Sequence, residues 1–227
     1  MAIFLPQYTK DPASGTLRGI GMGFIAMEMG GALAARLGIE LVLVEYPTPV
    51  TALEGVKSGA CDLACLGIDP SRTAQLDFSA PVVQFDYTFL LPAESSIQSF
   101  ADADRPGMRI AMVLNHASTF ALTRKAKHAE LIGEELPDTA FNLLRDGRVD
   151  AFAAPREQLL DYAEKLPGSR VLAEGYGINN AGMAIAQGHP GRLAFIREFV
   201  EEAKTSGAIA RLIERGRLRG FRVAPAA

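Results

Sequence analysis

The sequence predicts an α/β fold built from two blocks. Three observations carry that expectation. Short apolar runs alternate with amphipathic stretches; the alternation stops at Pro92 and starts again; and the chain ends in helices whose apolar stripe needs a partner surface. The blocks are placed at 1–90 and 91–185, with the tail 186–227 docked back on the first. Two passages between the blocks predict a hinge and an interlobe cleft, a standard place for a small-molecule site.

The elements follow in order. Met22, Ile25, Met29, Leu33 and Leu37 mark one face of a helix that Gly38 stops. Residues 41–44 read as a buried strand from their aliphatic, partly β-branched content. Val50, Leu53 and Val56 give a short helix, 62–66 a strand, and 85–91 an apolar stretch. In the second block 109–113 is a strand and 116–125 a helix. Phe141, Leu143 and Leu144 lie on another helix, and 151–153 is a short strand. A helix through Leu159, Tyr162 and Leu166 ends at Pro167-Gly168, and 181–186 is a strand. Leu193, Ile196, Phe199, Val200 and Ala203, then Ile209, Leu212 and Ile213, are helical. There is no internal repeat.

Composition narrows the function classes. Of 227 residues 48% are hydrophobic and 22% charged, an ordinary globular mixture. The net charge of −3 gives no cationic excess to neutralise phosphates, so a nucleic-acid partner is not expected. The three histidines do not form a metal spacing, and neither a metal nor another cofactor is expected. Cys61 and Cys65 have three residues between them; on one strand they would sit ~13 Å apart, beyond the ~7 Å that a disulfide tolerates, so both read as buried free thiols. The first residues lack a charged leader and a long apolar run. The chain is therefore read as cytoplasmic, or as periplasmic with a leader removed or omitted.

One segment carries most of the chemistry. Asp69-Pro70 is a helix start, with Asp as N-cap and Pro at the first helical position. Arg72 then falls in the first turn, where a cation opposes the positive helix end. Two readings stand: its planar fork takes an anion in the cleft, or it pairs with Asp69 or Asp77 at the surface.

The following Asp77-Phe78-Ser79-Ala80-Pro81 resembles the family 3 solute-binding proteins of ABC transporters, the polar amino-acid binders. Three further steps resemble that family in the same order: Gly15-Thr16-Leu17-Arg18-Gly19 its hairpin, 56–62 its "K-x-G-x-x-D" step, and 147–151 its "G-x-V-D-A" step. Each is short; their order and spacing carry the resemblance over most of the chain. It implies a two-lobed periplasmic-binding-protein type II fold and capture of a small carboxylate-bearing metabolite, amino-acid-like or an organic acid. It further implies delivery to an ABC transporter permease or membrane receptor, by a monomer without catalysis. Arg72 takes the position that grips the ligand carboxylate, beside Gly67 and Asp69. In the second lobe, Asn115, His116, Ala117 and Ser118 open a helix at the position where the family's backbone N–H groups meet the anion.

Phe4, with Tyr8 second, best matches the aromatic that covers the ligand. Little chain precedes Phe4, so most of the family's first strand is expected to be missing. The acid that usually holds an ammonium is replaced by Pro155. Arg156 beside it either meets a second anionic group or is an exposed helix residue. A zwitterionic amino acid is thereby disfavoured. A cyclohexadienyl-dehydratase-like enzyme, with Asp69, His116 or Glu28 as acid, and a cytoplasmic ligand-sensing domain are the alternatives.

Overall fold

The computed structural model describes residues 1–5, 7–114 and 116–226. In chain order the elements are β1 Ala2–Phe4, β2 Tyr8–Lys10, β3 Leu17–Gly19, α1 Met22–Leu37, β4 Val44–Tyr46, α2 Pro49–Lys57, β5 Ala64–Gly67, α3 Pro70–Thr73, β6 Leu76–Phe78 and β7 Val83–Leu91. Then come α4 Phe100–Ala103, β8 Arg109–Val113, α5 Ala117–Lys125, β9 Glu130–Glu134, α6 Pro137–Arg145, β10 Ala151–Pro155, α7 Arg156–Glu164, β11 Arg170–Val171, β12 Gly177–Ala186, α8 Pro190–Thr205, α9 Ala208–Arg215 and β13 Phe221–Val223. The chain divides into unit 1, Met1–Gln84, Asn180–Leu218 and Arg222–Ala227, and unit 2, Phe85–Asn179 and Arg219–Phe221. The divisions fall inside β7 and β12, earlier than the 90/91 and 185/186 boundaries placed from sequence, and residues 219–221 of the tail belong to unit 2.

In unit 1 the strands run β4-β1-β5-β12, with β6 on β12. β1 pairs in parallel with β4 and β5, and β12 runs antiparallel to β5 and β6. β1 lies between β4 and β5, with Ala2, Ile3 and Phe4 paired with Val44, Glu45 and Tyr46 on one side. The same register moves the strand expected at 41–44 to Val44–Tyr46. Val42, 61% exposed, lies before the ladder and uses its carbonyl to accept from the Met1 amine.

α1 buries Ile25, Met29 and Leu33 and ends where Gly38 takes a left-handed φ of 67°, as the stripe predicts. Ion pairs Arg36–Glu202 and Arg215–Glu28 join α1 to α8 and α9, so the tail from 186 to 218 packs within unit 1. The core includes Ala2, Phe4, Leu53, Val56, Leu66, Leu76 and Phe78.

In unit 2 the order is β7-β10-β8-β9, with β11 also on β7. β10 is antiparallel to β7 and parallel to β8, and β8 is parallel to β9. Its core gathers Leu90, Phe141, Leu144, Phe152, Leu159 and Tyr162. Asp150, at the start of β10, takes the backbone N–H of Arg109 at 2.8 Å and its guanidinium at 3.1 Å, tying the β8 and β10 starts together. Cys61 and Cys65 are both buried and free; burial pushes the Cys65 thiol up to about 12. Among the described residues no helix is long and apolar enough to cross a membrane.

Candidate functional site

In unit 1, β5 ends at Gly67 and the chain turns into the single turn α3. Asp69 caps it: Oδ1 accepts from the Ser71 N–H at 2.9 Å and the Arg72 N–H at 3.2 Å. Pro70 occupies the first helical position, as the sequence predicts. Because α3 has one turn, Arg72 is as close to its end as to its start, so the helix-end argument for its placement lapses. Two local groups set its direction instead. Nη1 donates to the Gly67 carbonyl at 2.9 Å, and Nε lies 3.2 Å from Asp69 Oδ2. Among the described residues Nη2 has no partner, and the side chain is 22% exposed. Both sequence readings thus meet in one residue: Arg72 pairs with Asp69 and still presents a donor edge suited to a carboxylate.

Gly67 and Cys65 share a flank of β5. The Leu63 carbonyl accepts from Ala2 of β1, and carbonyls two residues apart point the same way, so those of Cys65 and Gly67 also face the β1 side. β1 stops at Phe4. Beyond it side chains take over: Gln7 Nε2 donates to the Cys65 carbonyl at 3.3 Å, and Arg72 to that of Gly67. Gln7 is held by its own backbone, its N–H to Phe4 O at 2.8 Å and its carbonyl accepting from the Ile20 N–H at 2.9 Å. Its Oε1 is buried with no hydrogen-bond partner.

Phe4 and Tyr8 do not serve as the sequence suggested. The Phe4 ring is 8% exposed and belongs to the core of unit 1; alternation along a central strand places it there. Tyr8 is buried and donates to Glu45 at 3.0 Å.

In unit 2, α5 starts at Ala117, capped by His116. His116 Nδ1 accepts from the Ser118 N–H at 3.3 Å and lies 2.8 Å from Ser118 Oγ. The Thr119 and Phe120 N–H groups turn to the His116 carbonyl. Ser118 is 1% exposed, so its hydroxyl is turned to the imidazole and away from solvent. Among the described residues the Ala117 N–H is the one left without a partner at this helix start. Asn115 lies outside the described residues.

Arg156 is a correction. Its Nε lies 3.4 Å from Asp86 Oδ2, Nη1 donates to the Leu172 carbonyl at 3.1 Å, and Nη2 to the Ala173 carbonyl at 2.7 Å. Each nitrogen of the fork has a protein partner and the side chain is 17% exposed, so Arg156 is not an exposed helix residue, and three of its five N–H groups are committed to the protein. The next residue, Glu157, was not singled out from sequence: Oε2 is buried without a partner, and burial first, then the Asp161 charge, pushes its carboxyl up to about 8. Glu28 pairs with Arg215, which leaves the acid role assigned to it unsupported. Among the described residues no cluster of His, Cys, Asp or Glu is arranged to hold a metal ion.

The virulence sensor protein BvgS of Bordetella bronchiseptica is 29% identical over 121 residues, which is 52% of this chain and 10% of that protein. The chain thus spans about a tenth of the length of the curated relatives it matches. An ancestral cationic amino acid solute-binding protein matches with TM-score 0.72 and 25% identity, over 93% of this chain and 90% of that one. The putative binding component of an ABC transporter from Wolinella succinogenes, complexed with lysine, matches with TM-score 0.76 over 94% of both chains; at 20% identity it speaks for the fold alone. The sequence model for bacterial extracellular solute-binding proteins, family 3, matches residues 8–215. With nearly the whole chain inside that match, and a two-lobed fold in common with the solved structures, this protein belongs to the family 3 bacterial extracellular solute-binding proteins.

Proposed function

We propose that this protein captures a small carboxylate-bearing metabolite, of the amino-acid-like or organic-acid type, outside the cytoplasm, and presents it to a membrane partner. The observation that carries the reading is Arg72: anchored to Gly67 and Asp69, it keeps the Nη2 edge of its guanidinium for an anion. The likeness to an ancestral cationic amino acid solute-binding protein supports an amino-acid-like ligand. Pro155 in place of an acid argues for a ligand with less positive charge. The partner is an ABC transporter permease or, following the likeness to a sensor protein, a membrane receptor. The Ala117 N–H at the start of α5 is proposed as a further anion donor.

Mass spectrometry of what co-purifies, followed by a thermal-shift panel of organic and amino acids, tests the reading. A ligand at 100 times its Kd raises stability by about 2.7 kcal/mol, and Arg72→Ala removes that gain. A ligand without a carboxylate, or one that Arg72→Ala binds as well as the native chain does, overturns it. An enzyme of the dehydratase type instead requires turnover of prephenate-like acids that His116→Ala abolishes; the His116 ring, turned to Ser118, is the acid to test.

A further inference from the structure

We propose that Gln7 is a specificity residue, and that it selects 2-hydroxycarboxylates. The inference rests on Arg72 gripping the ligand carboxylate and adds the group that reads the neighbouring carbon. Gln7 and Arg72 stand side by side on the flank of β5 that β1 leaves uncovered. One holds the Cys65 carbonyl, the other that of Gly67, so their anchors are two residues apart, ~6.6 Å along the strand. The amide orientation follows from its partner. Nε2 faces a carbonyl, so Oε1 faces away from it and acts only as an acceptor. That oxygen is buried and unpartnered. Such a group costs about 1–3 kcal/mol until a donor reaches it.

A carboxylate on Arg72 Nη2 that carries a hydroxyl on the adjacent carbon supplies that donor. The acceptor is a neutral amide, and among the described residues the one carboxylate paired with Arg72, that of Asp69, caps α3 with Oδ1 and faces the guanidinium with Oδ2. A hydroxyl therefore suits the place better than an ammonium, whose charge would lack a counter-ion. Because Oε1 is shielded, the ligand has to part the side chains that cover it, and affinity falls by the population of that opened form.

The test is a matched series on the full chain by calorimetry: glutarate, 2-hydroxyglutarate and glutamate, then pentanoate, 2-hydroxypentanoate and norvaline. The 2-hydroxy acid of a series is expected to bind at least tenfold tighter than its parent acid and tighter than its 2-amino counterpart. Gln7→Met is expected to lose the preference, binding the 2-hydroxy acid no more tightly than the parent acid. A native chain that shows no 2-hydroxy preference in either series overturns the inference, whether or not Gln7→Met folds, and so does a Gln7→Met chain that keeps the preference. Arg72→Ala separates the two ideas. If the parent acids bind it unchanged, the carboxylate reading fails; if they lose affinity while native binding ignores the hydroxyl, only the role of Gln7 fails.

Discussion

Arg72 in unit 1 and Arg156 in unit 2 look alike in the sequence. Each comes one or two residues after a proline, in the first turn of a helix. In the structure they differ in what remains of the guanidinium. Arg156 has Asp86 and two backbone carbonyls on its three nitrogens, whereas Arg72 has one carbonyl, one facing carboxylate and an open edge. An arginine becomes an anion receptor through the donors its surroundings leave over. Charge alone does not make it one, because a fork already satisfied must break hydrogen bonds to accept a ligand.

The largest expected effect separates the two directly. Arg72→Ala should weaken carboxylate binding by roughly 2–5 kcal/mol, read by calorimetry, with little change in Tm. Equal affinity would take Arg72 out of the site. Next comes the residue beside Arg156. The folded state holds the proton on Glu157 up to about pH 8, against an ordinary value of 4.5. Its contribution to stability is complete below pH 4.5 and is lost as the pH rises to 8. Glu157→Gln should therefore gain Tm over the native chain across that window and then level off, at about 2–3 kcal/mol by denaturant melts at pH 9. A constant difference at all pH values would show that Glu157 is not held neutral.

Arg156→Ala should destabilise the fold by about 1–3 kcal/mol, because the Leu172 and Ala173 carbonyls lose their donor, while ligand affinity stays within threefold of the native value. A large affinity loss at unchanged stability would reverse the assignment. The smallest effect sharpens the contrast. Asp69→Asn keeps a cap on α3 and removes the charge facing Arg72, so carboxylate affinity should rise two- to fivefold, on the order of 0.4–1 kcal/mol. A fall in affinity would mean that Asp69 orients the guanidinium more than it competes for it.

Much of this was legible in residue order. The α1 stripe, its glycine stop, the Asp69-Pro70 helix start and β8 are local patterns, in which side-chain period and backbone preference coincide. The motifs around Arg72 and Asp77–Pro81 pointed to the family that the whole chain matches. The strand expected at 41–44 was misplaced because the apolar run Leu41–Val44 ends where the ladder Val44–Tyr46 begins, and only the partner β1 sets the register. β9 and β13 escaped notice because they are short and mixed in polarity.

The sequence by itself determined most of the longer helices, where Asp69 caps, and that an arginine follows that cap. These depend on neighbours within a few residues. The tertiary structure alone decided that Phe4 is core, that all three nitrogens of Arg156 are engaged by the protein, that Ser118 is sealed against His116, and that the Gln7 oxygen is buried without a partner. Each of those outcomes depends on groups brought together from other elements, and hydrogen-bond capacity is exhausted by proximity in space, which the order of residues along the chain does not record.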